Sequence, residues 1–230
     1  MHLNKLALVA CFIALSSLLR AEPPAVPKTH VDHPGLQKLK WQQAVNASSF
    51  KKMTLYEMID LLHALDVHHI ELLPGQALSP EHKDVQINAN LPADQIDALL
   101  AKLKGLRMDI VSYDAGALSN EDEARKIFEV GKKLKIKTVV CEASPDKLEM
   151  LDKLANEFSL NVALLGNPDE LSKALEGRSK RVGLCADPAG WRKQGKSPLE
   201  CAKTLAPRVL EVALVDTDAS GKPVAVGSGA

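Results

Sequence analysis

The chain has 230 residues, enough for one large domain or two small ones, each with a buried core. Lysine plus arginine and aspartate plus glutamate both number 29, so no excess charge indicates binding to nucleic acid or to an anionic membrane. Aromatic residues make up only 3% of the chain, which leaves few aromatic faces on which a ligand could pack.

The first residues have the pattern of a secretory signal peptide. A positively charged start precedes an apolar run, Leu6 to Leu19, that is too short to span a bilayer, and a Pro-rich polar segment follows Ala21. A lipoprotein signal ending at Cys11 is the alternative, but few apolar residues precede this cysteine. We predict a signal peptide over 1–21, a linker over 22–40 and a secreted or periplasmic protein.

Export permits disulfides, and the predicted mature chain contains three cysteines. Cys141, Cys185 and Cys201 form an odd number, are far apart in sequence and include no Cys-x-x-Cys motif. They therefore predict buried cysteines and no disulfide framework.

Six helix starts are marked by residues that cap the free N–H groups of a first turn. Thr54 and Glu57 form a capping box ahead of an apolar helical stripe. A proline at the first helical position follows three of the other capping residues. These other starts lie at Asn90, Ser119-Asn120, Ser144, Asn167 and Ser197, and Gly105 is expected to end the helix after Asn90.

Short apolar runs between the helices predict strands. Because the runs lack clean alternation and are separated by helices, they indicate a parallel sheet with helices covering it. A weaker first strand is expected within 41–47, which makes seven strand–helix units. The other six strands are predicted at 69–73, 108–113, 138–142, 161–165, 181–185 and 210–215.

Such a repeat fits either an open doubly wound sheet or a (β/α)8 barrel. No Gly-x-Gly-x-x-Gly or Walker loop follows a strand, so the usual marker of a nucleotide-binding open sheet is missing. Acidic residues follow the strands instead, and in a barrel they would converge on one mouth. We therefore predict an α/β fold of the TIM-barrel type. The acidic residues are Glu71, Asp114, Glu142, Asp187 and Asp216.

The order and spacing of several motifs resemble the sugar phosphate isomerase/epimerase family, the xylose isomerase-like TIM barrels. The resemblance extends from about Trp41 to Gly229. The motifs are Glu57, Ile70-Glu71 with Pro74-Gly75-Gln76, Val111-Ser112-Tyr113, Ala174 to Arg181, Cys185-Ala186-Asp187 with Trp191, and the strand that leads to Asp216.

The resemblance implies proton transfer next to a sugar carbonyl, assisted by a divalent metal such as Mn, Mg, Co or Zn. It implies that Glu142 is the first metal ligand and the base, and that Asp187 is the second ligand. Asp216 is a candidate third oxygen ligand, with the capping of a local turn as its alternative role.

Three residues are candidates for contact with the substrate, each with a structural alternative. Glu71 could contact substrate or form a salt bridge at a strand end. Asn167 could contact substrate or cap the helix that Pro168 begins, and Trp191 could pack on a sugar face or in the core.

The chain departs from the family pattern where histidine ligands are expected. Leu165-Gly166-Asn167 stands in place of a His-Asn-His segment, Gly190 in place of a histidine, and Ala213 and Val215 in place of a histidine and a lysine. The metal site is therefore predicted to be degraded.

Only fourteen residues follow Asp216, too few for another helix and strand. We therefore predict a barrel domain over 41–230 that lacks the eighth β/α unit, through truncation or with another chain covering the gap.

These observations support two hypotheses about function. The first is a sugar isomerase/epimerase-like protein with a degraded metal site. The alternative is a catalytically inactive barrel that binds a carbohydrate or a protein. We predict a small sugar or sugar derivative as ligand, no nucleic acid partner and no transmembrane span, and the sequence is compatible with a homo-oligomer.

Overall fold

Seven parallel strands form one sheet in a computed structural model of the chain, which describes Lys38 and residues 40–229. The predicted signal peptide, and the predicted linker apart from residues 38 and 40, lie outside the described residues. The strands are β1 (Val45–Asn46), β2 (His69–Leu72), β3 (Asp109–Ala117), β4 (Thr138–Glu142), β5 (Asn161–Leu165), β6 (Val182–Ala186) and β7 (Val209–Val212).

Helices connect the strands and cover one face of the sheet. Three short 3-10 segments at Ala47–Phe50, Pro145–Lys147 and Ala206–Arg208 supplement them. The α-helices of the described chain are α1 (Leu55–Ala64), α2 (Ala93–Leu106), α3 (Glu121–Lys133), α4 (Leu148–Phe158), α5 (Pro168–Ala174), α6 (Pro188–Lys193) and α7 (Pro198–Leu205).

The spatial order of the strands is their order in the chain, and each pairs in parallel with the next. An open doubly wound sheet would reverse its order at a switch point, whereas a TIM barrel does not. The predicted TIM-barrel type of fold is therefore confirmed. Within residues 40–229, seven strands make up this sheet, and β1 and β7 are its two edges.

A contact across the sheet shows how strongly it curls. Ser112 of β3 and Glu211 of β7 lie four strands apart, which in a flat sheet is about 19 Å. Their side-chain oxygens Oγ and Oε1 are 3.3 Å apart. The sheet therefore curls strongly, so that inward-facing side chains from distant strands meet.

The strands bury different residues on their two faces. On β4, Val139 and Cys141 belong to the large core between sheet and helices, while Val140 packs with Ala163 and Cys185 in a small second cluster. Successive strand residues point to opposite faces. The small cluster therefore lies on the inner, concave face, which is the interior of the barrel.

Most of the predicted helix starts are confirmed. The Thr54–Glu57 capping box is present at α1, and Asn120, Asn167 and Ser197 cap α3, α5 and α7 through their side chains. Two details differ. The Ser144 side chain makes no capping bond and precedes a 3-10 segment, and Gly105 lies inside α2, which ends where Arg107 adopts φ 56°.

The chain leaves the sheet earlier than expected after β7. The predicted strand over 210–215 ends at Val212, because a tight turn follows in which the Val215 N–H bonds to the Ala213 carbonyl. The predicted end of this strand at residue 215 is therefore wrong, and Asp216 does not directly follow β7. It begins the short hairpin of β8 (Asp216–Thr217) and β9 (Pro223–Val224). No helix of the described chain is long and apolar enough to cross a membrane.

Candidate active site

A row of polar side chains lies on the inner face of the first three strands. Asn46 pairs in register with Glu71, and Glu71 pairs with Ser112. The Asn46 amide donates to Glu71 Oε2 at 2.7 Å, and the Ser112 hydroxyl donates to Glu211 Oε1 at 3.3 Å. The Glu71 and Glu211 carboxyl groups also hydrogen-bond to each other. We call Glu71 and Glu211 the glutamate pair.

The surroundings of the glutamate pair favour its protonated form. Burial raises the pKa of Glu211 to about 8, and repulsion from Glu71 and their shared hydrogen bond add to this effect. Burial also raises the pKa of Glu71, against the opposing hydrogen bond from Asn46, while Asp114 raises it further. Because two adjacent carboxylates cannot both ionise cheaply, the pair holds one shared proton near neutral pH.

Local sequence explains why both glutamates face inward. Ile70 and Leu72 turn outward to the large core, so Glu71 between them faces the interior. The pairing between β6 and β7 shifts its register between Leu184 and Cys185. This shift places Glu211 of β7 opposite Cys185 of β6. Both glutamates are half-buried, which leaves them accessible to a small ligand.

Sequence reasoning identified Glu71 and missed Glu211. A signal was present, because Glu211 interrupts the apolar run from Val209 to Leu214 in the middle of a predicted strand. A charged residue at such a position is rarely buried without a partner. That partner could not be named from the sequence, because Glu71 belongs to the opposite side of the barrel.

The three predicted metal ligands occupy separate structural roles. Glu142 ends β4 and is exposed. The Asp187 carboxylate caps α6 by accepting the Gly190 N–H at 2.9 Å. The Asp216 carboxylate accepts three backbone N–H groups, those of Thr217, Gly227 and Gly229, at 2.8 to 2.9 Å.

This donor set does not fit a resident divalent cation. Such a cation takes six or more oxygen ligands from carboxylates, carbonyls and water, but the Asp216 oxygens already bind backbone N–H groups within the β8–β9 segment. Among the described residues, no group of three His, Cys, Asp or Glu side chains could hold a metal. The role of Glu142 as a base stays a prediction from the resemblance.

The other two predicted substrate contacts have structural partners. Asn167 caps α5 by accepting the N–H groups of Asp169 and Glu170, and its amide donates to Gln194. Trp191 is only 1% exposed and packs in the large core. The structural alternatives given for these two residues account for their positions.

Comparison with known proteins shows similarity of structure. No protein-family model matches the chain, and no curated protein does. An uncharacterised protein from Parabacteroides distasonis is similar over 83% of this chain and 81% of its own, with 24% identity and a TM-score of 0.71. The zinc-bound IOLI protein has 16% identity, coverages of 81% and 80%, and a TM-score of 0.63.

A third similar structure is D-psicose 3-epimerase in the presence of D-fructose, at 13% identity. Its TM-score is 0.63, with 82% of this chain and 76% of the epimerase covered. Other matched structures are described as a xylose isomerase domain protein and a sugar phosphate isomerase/epimerase. At these identities the similarity shows the fold, and the predicted resemblance to xylose isomerase-like TIM barrels is confirmed at that level.

Proposed function

Starting from this xylose isomerase-like fold, we propose that the chain binds a small sugar or sugar derivative inside the barrel and that the glutamate pair moves a proton next to the sugar carbonyl. The observation that carries the proposal is the half-buried pair of carboxyl groups on the inner face of the sheet, with Asn46 bonded to Glu71 and Ser112 bonded to Glu211. The similar fold of a D-psicose 3-epimerase supports the class of ligand.

The chemistry needs one base and one acid, which the pair supplies together. The carboxylate accepts the proton from the carbon next to the carbonyl, while the carboxylic acid gives its proton to the carbonyl oxygen. The product is a neutral enediol. Reversal of both transfers at the neighbouring carbon completes an isomerisation, and return of the proton to the opposite face completes an epimerisation.

Surrounding residues prepare the pair for this role. The Asn46 amide orients Glu71, and the Ser112 hydroxyl orients Glu211, so each carboxyl group has a fixed neighbour besides its partner. The raised pKa of Glu211, about 8, keeps an acid available at neutral pH. A general acid is most effective when its pKa lies near the working pH.

The proposal includes a degraded metal site. The predicted ligands Glu142, Asp187 and Asp216 do not assemble into a cation site, so no step of the mechanism is assigned to a metal. The proposal also keeps the sequence-based prediction of a secreted or periplasmic protein, which depends on residues 1–21.

Deuterium exchange tests the proposed proton transfer. In D2O, the wild-type protein should incorporate deuterium into D-fructose next to the carbonyl, as followed by NMR. Glu71→Gln and Glu211→Gln should each slow exchange by about 100-fold or more, because loss of a general acid or base costs roughly that factor. The exposed Glu149 of α4 provides the control, and Glu149→Gln should leave the rate unchanged.

The same experiment separates the alternatives. Loss of exchange in Glu142→Gln with full activity in both pair variants would overturn the role of the pair. Exchange could instead require stoichiometric bound Mn, Mg, Co or Zn and disappear when a chelator is added. This result would contradict the degraded metal site. Binding of D-fructose without any exchange would support the inactive carbohydrate-binding barrel.

A further inference from the structure

A group of polar side chains lies at the amino ends of the first four strands, at the end of the barrel opposite its mouth. Gln42 precedes β1, His69 begins β2, Asp109 begins β3, and Lys137 directly precedes β4. The Gln42 amide nitrogen Nε2 is 3.4 Å from His69 Nε2, and its oxygen Oε1 accepts from Lys137 Nζ at 2.5 Å. We call Gln42, His69 and Lys137 the amide bridge.

The chemistry of the amide bridge requires a neutral His69. The Lys137 ammonium group can only donate, so it faces the Gln42 oxygen, and the Gln42 NH2 group therefore faces His69. Because this NH2 group can only donate, His69 Nε2 has to be the acceptor, and the ring carries its single proton on Nδ1. His69 Nδ1 lies 4.0 Å from Asp109 Oδ2 and has no hydrogen-bond partner within the described chain.

The surroundings of His69 disfavour a second proton on its ring. Burial lowers the pKa of His69, Asp109 opposes this effect, and Lys137 and His68 lower the pKa further. His68 itself lies 3.1 Å from the carboxylate of Asp66. The only carboxylate that favours a charged His69 is that of Asp109, whose side chain is 73% exposed and therefore screened by water. A proton on Nε2 would point one donor at another and break the bond to Gln42.

The amide bridge anchors the chain where the sheet is weakest. β1 is an edge strand of only two residues, and residues 41–44 before it form neither helix nor strand. The indole of Trp41, next to Gln42, is 55% exposed. Segments with few contacts open locally at low cost in free energy. A single side-chain bridge therefore has a large share in holding this segment.

We propose that the amide bridge is a pH-sensitive latch, in which Gln42 holds residues 40–44 against the barrel while His69 is neutral, and protonation of His69 releases them. The bound segment excludes the proton that a free histidine takes up below about pH 6.5. The stabilisation is therefore present above this pH and is lost as pH falls below it. The latch is separate from the glutamate pair and does not rest on the proposed function.

Acrylamide quenching of tryptophan fluorescence in the full chain tests the release. Trp191 is 1% exposed, so quenching reports mainly on Trp41. From pH 7.5 to pH 5 the quenching constant of the wild-type protein should rise by up to about twofold, because the Trp41 indole starts at 55% exposure. His69→Gln should show no rise, because its amide oxygen accepts from Gln42 at every pH. His63→Gln, at an exposed position of α1, is the control and should keep the rise.

A constant wild-type quenching between these pH values would overturn the latch. An equal rise in His69→Gln would overturn it as well, because that variant cannot gain the proton.

Gln42→Glu provides the sharper test, because it should reverse the effect of pH. A carboxylate accepts from Lys137 and from a protonated His69 alike, so falling pH should tighten the segment and lower the quenching. In NMR titrations the pKa of His69 should lie below its ordinary value in the wild type and above it in Gln42→Glu. Gln43→Glu adds the same charge at the next exposed residue and should leave the release intact. Release of the same direction and size in Gln42→Glu would disprove the role of the amide.

Discussion

At the scale of single residues, two glycines determine where neighbouring groups can lie. A Cβ atom on Gly183 would meet the Arg208 carbonyl oxygen at 2.2 Å and Leu210 carbons at 2.7 and 2.9 Å. A Cβ atom on Gly190 would meet Asp187 Oδ2 at 2.2 Å. The first glycine lets β7 approach β6, and the second lets Asp187 fold back to cap α6. A histidine at 190 would require the Asp187 side chain to move.

Gly183→Ala should therefore destabilise the protein strongly, by about 1–3 kcal/mol or more, because the clash is with backbone as well as with a packed side chain. Gly105→Ala is the matched control. Gly105 is exposed within α2 with no atom near its missing Cβ, so alanine there should stabilise by about 0.5–1 kcal/mol. Urea unfolding measures the free energy of unfolding of both variants. Equal effects in the two variants would contradict the close approach at Gly183.

At the scale of elements, the first helix depends on its capping box. The Thr54 side chain accepts the Glu57 N–H, and Glu57 Oε2 accepts the Thr54 N–H at 2.8 Å. The Thr54 N–H and the Thr54 hydroxyl both donate to Glu57 Oε2, and these bonds lower the pKa of Glu57. Leu55, Met58 and Ile59 are fully buried beneath this helix, so its start is coupled to the core.

Thr54→Ala should lower the free energy of unfolding by about 1 kcal/mol, because it removes the side-chain acceptor at a helix N-terminus. Ser144→Ala is the comparison, since the Ser144 side chain makes no capping bond and should cost much less. Thermal unfolding followed by circular dichroism compares the two. A larger loss for Ser144→Ala than for Thr54→Ala would show that the capping box does not stabilise α1.

At the scale of the whole molecule, the glutamate pair links the last strand of the sheet to its beginning. Glu211 of β7 contacts Glu71 of β2 and Ser112 of β3, and Glu71 contacts Asn46 of β1. The edge strands β1 and β7 share no backbone pairing. The protonated pair is therefore one of the links that hold the sheet curled, and its ionisation would place two repelling carboxylates between them.

Stability should accordingly depend on pH through Glu211. Its pKa rises on folding from 4.5 to about 8. Between these pH values, the folded state therefore binds a proton that the unfolded state has lost. The stabilisation is full below about pH 4.5 and is lost as pH rises through 8, with a slope of at most about 1.4 kcal/mol per pH unit.

Urea unfolding from pH 5 to 8.5 tests the predicted direction of this pH dependence. The wild-type protein should lose stability relative to Glu211→Gln as pH rises, because glutamine does not ionise. Glu149→Gln, at an exposed site, should differ from the wild type by a constant amount. A wild-type advantage over Glu211→Gln that grows with pH would contradict the raised pKa.

Much of the fold could be predicted because its signals are local. Apolar runs marked the strands of the sheet, and caps such as Thr54 and Asn167 marked the helix starts within a few residues. The end of β7 could not be predicted, because Ala213 to Val215 continue the apolar pattern while the backbone turns. The hydrophobicity of a segment indicates whether it is buried. It does not indicate where the backbone turns, because that depends on the strand against which the segment packs.

The sequence by itself determined the alternating strands and helices, the TIM-barrel type of fold and the place of Glu71 near the end of a strand. Each of these follows from patterns a few residues long. Only the tertiary structure decided that Glu71 meets Glu211, and that Asp216 binds the backbone N–H groups of Gly227 and Gly229. The curl of the sheet determines the distances between residues that are far apart in the chain. At those distances, charge and burial determine that the glutamate pair shares a proton.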